Sequence, residues 1–305
     1  MLNSVLDAKH FHDEHAAYAY LEARIWPEGP VCPHCGGVER ISKMKGKSTR
    51  IGTYKCYQCR KPFRATVKTV FESSHIPLRL WLQAVHLMAS SKKGISANQL
   101  HRILGITLKS AWFMAHRVRL AMQALGMEPM GGIGEIVEID ETYVGKLEGQ
   151  IASPKGGSAH KNIVLTLVQR GGTARSFHVD STSMASVLPI INANIKRESI
   201  VMTDEASWYR SLGGRFFSHD SVNHGAYEWM RGDIGTNTVE GYYSIFKRGM
   251  KGVYQHCKEK HLHRYLAEFD FRYSNRVRLG IDDVTRADRA LKGIVGKRLT
   301  YRTSH

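Results

Sequence analysis

The sequence predicts an α/β chain in which a small cysteine-rich unit and a run of helices precede a mixed sheet domain. Three observations predict it. Two CxxC pairs fall between residues 32 and 59, helical periodicity runs over about 77–124, and β-branched runs with turn glycines begin near residue 135 and give way to long helical stretches. At 305 residues the chain is long enough for two or three folding units. Spacing and composition predict residues 1–70 as an N-terminal helix with the cysteine unit, 71–130 as a helical domain, 131–280 as the sheet domain and 281–305 as a helix with a loose basic end.

Residues 9–25 have helical composition and stop at Trp26-Pro27-Glu28-Gly29-Pro30, a strong breaker. In 77–92, Trp81, Ala84, Val85 and Met88 form one apolar stripe. Ser96 is placed to cap a short helix with Leu100, Ile103 and Leu104 inward. Gly105-Ile106-Thr107 turns the chain into a helix over 108–124 with Ala111, Ala115, Val118 and Met122 on one side. Two helices joined by a short glycine-containing turn form a helix-turn-helix pattern, which many helical hairpins share. Gly131-Gly132-Ile133-Gly134 reads as a hinge. Strands are expected at about 135–144, 162–170, 174–180 and 199–203, with a further one at 215–222, and helices at 183–195, 237–250 and 259–275.

Lys and Arg outnumber Asp and Glu by 44 to 27, a formal charge of +17, which favours a polyanionic partner such as nucleic acid or an anionic membrane surface. No apolar run reaches the about 18 residues a membrane span needs. Acids and histidines within the first fifteen residues argue against a signal peptide, and four of the five cysteines in CxxC pairs argue against a secreted disulfide framework. A reducing, cytoplasmic location is expected.

Cys32-Pro33-His34-Cys35 and Cys56-Tyr57-Gln58-Cys59, with twenty residues between Cys35 and Cys56, offer four thiolates from two tight turns. That set suits tetrahedral zinc and leaves no open coordination position, so the ion would be structural. His34 lies inside a knuckle as a bystander. Residues 38–68 carry ten Lys/Arg against one acid, interleaved with Tyr54, Tyr57 and Phe63, a pattern suited to phosphate contacts.

In Glu138-Ile139-Asp140-Glu141-Thr142-Tyr143-Val144-Gly145 a strand carries Glu138 and Asp140 on one face, and a mid-strand acid is either exposed or serves a metal. Asp204 closes the hydrophobic run Ser199 to Thr203. Glu240 sits near the start of a helix, with Asn237 and Lys247 on its face. An edge-strand acid, a helix cap and a first-turn acid would explain each singly. As a set, three carboxylates from separate elements suit two Mg²⁺ ions about 3.5–4 Å apart, because hard cations take oxygen ligands.

These strings, with Thr236-Asn237-Thr238-Val239-Glu240-Gly241-Tyr242-Tyr243-Ser244, Phe246-Lys247-Arg248-Gly249 and His261-Leu262-His263-Arg264-Tyr265-Leu266-Ala267-Glu268-Phe269-Asp270-Phe271-Arg272-Tyr273, resemble the zinc-ribbon insertion-sequence transposases related to Merlin elements. The resemblance runs from about residue 18 to 276. It implies a zinc ribbon and helix-turn-helix followed by a ribonuclease-H-like DDE domain. It maps the catalytic, Mg²⁺- or Mn²⁺-binding acids onto Asp140, Asp204 and Glu240, with Asn237 as the competitor for the third place. It also maps a DNA-contacting lysine onto Lys247. Gly235 stands where relatives often have His.

The implied reaction is cleavage at transposon ends and strand transfer into target DNA, by a homo-oligomer on DNA in the bacterial nucleoid. Lys109 and Arg117 are expected DNA contacts of the second helix. Lys247, Arg248, Lys251, Lys258, Lys260 and Arg264 are an expected phosphate track. Three other readings compete: a non-catalytic DNA-binding regulator, an inactive copy, and a nuclease acting on RNA or branched DNA. His160, Lys161 and the Pro154–Gly157 loop read as surface.

Overall fold

The computed structural model describes residues 4–124, 126–150, 157–226, 228 and 230–300. Residues 154–156 of the glycine-rich loop lie outside the described residues. The chain divides into two compact units. The first takes the chain up to Ser91, Ile95–Gln123 and the chain from Asp282 onward; the second takes Lys92–Gly94 and Ala124–Ile281.

In the first unit, α1 (Glu14–Ile25) starts at Asp13, whose carboxylate accepts the Ala16 N–H, and stops at the Trp26-Pro27 breaker. Strands β1 (Ile41–Lys43), β2 (Tyr54–Cys56) and β3 (Pro62–Phe63) make a small antiparallel sheet. Its core is one stacked pair, Tyr54 on Phe63 with centroids 5.7 Å apart, and Trp26 edge-on to both.

Helix α2 (Leu78–Ser90) buries the expected stripe of Trp81, Ala84, Val85 and Met88. Helices α3 (Ala97–Leu104) and α4 (Leu108–Met122) follow, capped by the Ser96 and Thr107 hydroxyls, with Gly105 left-handed at φ 64° between them. Ala111, Ala115, Val118 and Met122 are buried as expected. Ile103 is not: half its surface is exposed. Leu100 and Leu104 already fill the inner face of this two-turn helix, and Ile103 lies about 100° round from Leu104.

The second unit is built on a five-stranded sheet of β4 (Ile136–Val144), β5 (Asn162–Gln169), β6 (Ala174–Val179), β7 (Ile200–Thr203) and β8 (Ser218–Ser221), in the order β6-β5-β4-β7-β8. The first three form an antiparallel meander, and β7 and β8 then run parallel to β4. Helix α5 (Met184–Asn194) covers one face over Val137, Ile139, Leu165, Leu167 and Val201. A short hairpin of β9 (Met230–Arg231) and β10 (Ile234–Gly235) leads into α6 (Asn237–Gly249), which with α7 (Leu262–Ser274) covers Val164 and Val168 on the other face. Strand alternation therefore buries both faces of one sheet and turns Glu138 and Asp140 toward the α6 side.

Helix α8 (Asp283–Lys292) is the helix expected in 281–305 and returns to the first unit, and residues 301–305 of the expected loose end lie outside the described residues. It buries Ala287, Ala290 and Leu291, and Asp288 accepts from Tyr20 (2.7 Å) and Arg24 (2.6 Å) of α1. Beyond it, Val295 bridges Thr69 and the Val70 N–H donates to Ile294. Charge composition marked this segment as basic, but its apolar stripe ties it down.

Candidate functional site

The cysteine site is complete in itself. Sγ of Cys32 and Cys59, and of Cys35 and Cys56, lie 3.7 Å apart, and all four sulfurs fall within 4.8 Å of one another. A tetrahedral zinc with Zn–S of about 2.3 Å requires S···S of about 3.8 Å, so the four sulfurs fit the ion. The backbone N–H of Cys59 draws the Cys56 thiol down. Against the Gly37 N–H, burial and the neighbouring sulfurs push the Cys35 thiol up, so the four share their protons as one cluster until a metal replaces them. The His34 imidazole is exposed and approaches the Pro62 carbonyl at 3.4 Å, outside the sulfur set.

The acidic site is assembled from distant segments. Parallel pairing sets Glu138 beside Met202, so two residues further along each chain Asp140, in the middle of β4, comes beside Asp204, just past β7. Asp204 turns the chain there, its Oδ1 accepting the Ala206 N–H at 3.0 Å. Glu240 rides on the first turn of α6, where its Oε1 accepts from Thr236 Oγ1 at 2.9 Å. Burial, and then the charges of Glu141, Asp204 and Glu240, push the Asp140 carboxyl up to about 8. Burial and Asp204 push Glu141 up to about 7, against the Tyr209 hydrogen bond that lowers it. The three sequence-predicted acids therefore share one electrostatic neighbourhood.

Its donors are carboxylate oxygens, a set suited to a hard divalent cation. Among the described residues the cysteines are the group that brings three or more donor atoms within 4.8 Å of one another. Asn237, the alternative third ligand, is exposed at the first residue of α6 with its amide 3.5 Å from Met230 Sδ.

Neighbours left without a role by the sequence now have one. Glu138 is fully buried and accepts from Arg170 Nε (2.6 Å), the Thr238 N–H (2.7 Å) and hydroxyl (2.8 Å), and the Val239 N–H (2.9 Å). It caps α6 and so fixes the turn carrying Glu240 to the strand carrying Asp140. Arg170 also holds the Asp233 carbonyl at 2.6 Å and the Gly235 carbonyl at 3.0 Å, tying down the hairpin ahead of α6.

Tyr243, one turn after Glu240, donates to the Asp140 carbonyl at 2.6 Å. Tyr209, in the 3-10 turn Ser207–Leu212 after Asp204, donates to Glu141 at 2.5 Å. Glu205 accepts the Gly225 N–H at 3.0 Å. Neighbouring Tyr242 donates to buried Asp270 of α7 at 2.6 Å. No spacing rule points to Arg170 or Tyr209, whereas Tyr242 and Tyr243 stand inside the string that carries the resemblance.

Of the expected DNA contacts, Lys109, Lys247 and Lys251 are exposed. Arg248 is exposed too, but its guanidinium folds back on Ser244 of its own helix. Arg117 is a correction. It is buried, with hydrogen bonds to the Glu72 carbonyl (2.9 Å) and the Leu299 carbonyl (3.1 Å), because the C-terminal segment packs over the α4 face from which it projects. Among the described residues no helix is long and apolar enough to cross a membrane.

Comparison with known proteins finds two domain matches and two relatives. Residues 132–274 match the family model described as an ISXO2-like transposase domain, and residues 12–62 match that of a transposase zinc-ribbon domain. A Halobacterium salinarum protein described as an uncharacterized protein in transposable element ISH50 is 27% identical over 283 residues, covering 88% of this chain and 93% of that one. An uncharacterized transposase-like protein of Haemophilus influenzae is 29% identical over 97 residues, 32% of this chain and 77% of that one. The four cysteines lie in the zinc-ribbon match and Asp140, Asp204 and Glu240 in the transposase-domain match, so the chain is identified by the two domains it carries, a transposase zinc ribbon and an ISXO2-like transposase domain.

Proposed function

We propose that this chain is a DDE-type transposase that cleaves DNA at transposon ends and transfers the freed strand into target DNA. The observation that carries the reading is the meeting of Asp140, Asp204 and Glu240 from two strands and a helix, in a buried neighbourhood that raises Asp140 to about 8. The strand order, an antiparallel meander followed by two parallel strands on the β4 side, supports a ribonuclease-H-like domain. In such a domain, acids on the first strand and beside it serve phosphodiester chemistry.

Asp140, Asp204 and Glu240 are the residues that would hold two Mg²⁺ or Mn²⁺ ions. Those ions supply charge stabilisation to the attacking and leaving oxygens of an in-line displacement. The protein's own contribution is preorganisation. Glu138 locks the α6 N-terminus, Tyr243 fixes the Asp140 backbone, and Tyr209 holds Glu141 against the turn that follows Asp204. In the first step water oxygen joins phosphorus and the 3′ oxygen leaves. In the second the oxygen of that 3′-OH joins the phosphorus of a target phosphodiester, and the target strand's own 3′ oxygen leaves and takes up a proton.

The exposed basic residues of the ribbon, including Arg40, Lys45, Lys47, Arg60 and Lys61, together with Lys109 on α4, are the proposed contacts to the element's inverted repeats. They belong to a proposed ribbon and helix-turn-helix reader acting in a homo-oligomer on bacterial nucleoid DNA. Lys247, Arg248 and Lys251 are proposed contacts near the reacting end.

The test is cleavage and joining of DNA carrying the element's own ends, with Mg²⁺ or Mn²⁺ and without. The expected result is metal-dependent nicking and joined product, lost in Asp140→Ala, Asp204→Ala and Glu240→Ala while DNA binding persists. Tight binding with no cutting under any metal would favour a DNA-binding regulator or an inactive copy.

A further inference from the structure

Two of the three acids are braced by a side chain from another element: Tyr243 of α6 holds the Asp140 carbonyl, and Glu138 of β4 caps the turn carrying Glu240. Asp204 is held from a different direction. The ladder between β4 and β7 runs from Ile136–Ile200 to Glu138–Met202, so its last pair lies two residues short of Asp204. On the other side β7 stays paired with β8 through Thr203–Ser221, and the Val222 N–H then donates to the Thr203 carbonyl at 3.2 Å. The placement of Asp204 against Asp140 therefore leans on β8, the edge strand of the sheet.

Side chains extend that hold. Val201 faces the α5 core, so Thr203 and, by register, His219 of β8 lie on that reverse face, away from the α6 side to which Asp140 turns. His219 Nε2 stands 3.0 Å from Thr203 Oγ1, and Thr203 Oγ1 donates to the Asp204 carbonyl at 2.9 Å. Thr203 is fully buried and His219 half-buried.

Counting protons fixes the direction of both bonds. The Thr203 hydroxyl has one proton and gives it to the Asp204 carbonyl, so the imidazole donates through Nε2. Burial lowers the imidazole pKa, against Asp220, which raises it, and a neutral ring carries a single N–H. Thr203 is shut off from solvent, so this N–H is what keeps the hydroxyl proton aimed at the carbonyl.

We propose that His219 is a positioning residue: through Thr203 it fixes the peptide of Asp204, and so the place and aim of that carboxylate, from the face of the sheet opposite the reacting site. The proposal rests on the reading of Asp204 as a metal-holding acid and deepens it by naming what holds that acid. Removing an outer partner of a metal ligand typically costs about 10–100-fold in metal affinity.

The test is Mn²⁺ binding to the full, zinc-loaded chain without DNA, read from the free-ion signal in electron paramagnetic resonance. Beside it, nuclear magnetic resonance follows amide exchange at Ala206, whose N–H donates to Asp204 Oδ1, in the metal-free protein. Thr203→Val keeps the shape of the side chain without its hydroxyl. His219→Phe keeps a ring without the donor, and His219→Gln keeps an N–H donor.

Thr203→Val and His219→Phe are each expected to weaken Mn²⁺ binding about tenfold. Each should also speed Ala206 exchange about tenfold. The two together act through one link and should lose no more than about twofold beyond either alone. His219→Gln should stay within about threefold of wild type, and duplex affinity without metal should stay within about twofold in every variant.

Wild-type Mn²⁺ affinity in Thr203→Val and His219→Phe, losses that multiply in the double variant, or a loss in His219→Gln as large as in His219→Phe would overturn the proposal. Thr203→Val leaves β8 untouched, so the outcome does not hang on the folding of His219→Phe. A wild type that binds no Mn²⁺ would instead sink the metal reading of the acids. Ala206 exchange needs no metal and still decides the link: rates equal to wild type in both single variants overturn it, and faster rates uphold it.

Discussion

The two metal-type sites of this molecule are built on opposite plans. The ribbon takes its four ligands from two tight turns within 28 residues and brings the sulfurs to the spacing of a tetrahedral ion. The acidic site, proposed to hold the catalytic ions, draws its carboxylates from β4, the turn after β7 and α6, spread over 101 residues, and their mutual repulsion helps to raise Asp140. A closed site needs only local turns. An open one, which must admit substrate, depends on the whole sheet for its shape and on props such as Glu138 and Tyr243 for its precision.

The sharpest way to break the contrast is to remove zinc. A structural zinc is worth about 10–16 kcal/mol to a small ribbon, so chelation or Cys32→Ser should unfold residues 30–64. Loss of the Trp26 near-ultraviolet signal together with zinc release would show it, and retention of that signal in the stripped protein would contradict it.

The acidic site should respond in function rather than in fold. Asp140→Ala is expected to cost several kcal/mol of transition-state stabilisation, roughly 1,000-fold in cleavage rate. It should raise the thermal midpoint of the metal-free protein, because the cost of burying that carboxyl, whether protonated or charged, is gone. A fall in that midpoint would mean that Asp140 is a structural acid.

Glu138 belongs to the fold as much as to the site. Glu138→Gln breaks a buried ion pair and weakens the α6 cap, with an expected loss of about 3 kcal/mol by denaturant unfolding. An unchanged midpoint would remove it from the account.

Proton linkage gives a subtler test. Asp140 at about 8 and Glu141 at about 7 both lie above the ordinary carboxylate range, so the metal-free fold binds more protons than the unfolded chain. Its stability should therefore fall as pH rises from about 4 through 8. Divalent metal should bind more tightly over the same rise, releasing protons measurable by calorimetry in buffers of different ionisation heat. Metal affinity independent of pH between 6 and 8.5 would contradict the raised carboxyls. Smallest of all, Tyr209→Phe removes one hydrogen bond to Glu141 and should cost about 1–2 kcal/mol.

The same contrast governs what could be read in advance. CxxC spacing names the zinc ligands because the turn geometry is local. The helices of the first unit also followed from periodicity and caps, down to Ser96 and the buried stripe of α4, and the strands of the second from alternation and breakers. Asp140 stood out as a mid-strand acid and Asp204 and Glu240 by their places at the close of a strand and the start of a helix, and the meeting of the first two depends on a parallel register that no local pattern states.

Arg117 misled for the same reason. On a helix expected to face DNA, an arginine looks like a phosphate contact, and only the returning C-terminal segment buries it. The loss of Ile103 from the inner face and the docking of α8 are likewise tertiary facts. Glu138 had the right residue type and the right face for a metal ligand, yet the α6 N-terminus and Arg170 claim it.

The most direct measurement is anomalous diffraction from crystals of the full chain soaked in Mn²⁺. The account predicts manganese peaks bounded by Asp140, Asp204 and Glu240, with Glu138 making no bond to either ion. Peaks elsewhere, or ions held by Asn237 in place of Glu240, would contradict the assignment of these three acids as the metal-holding set.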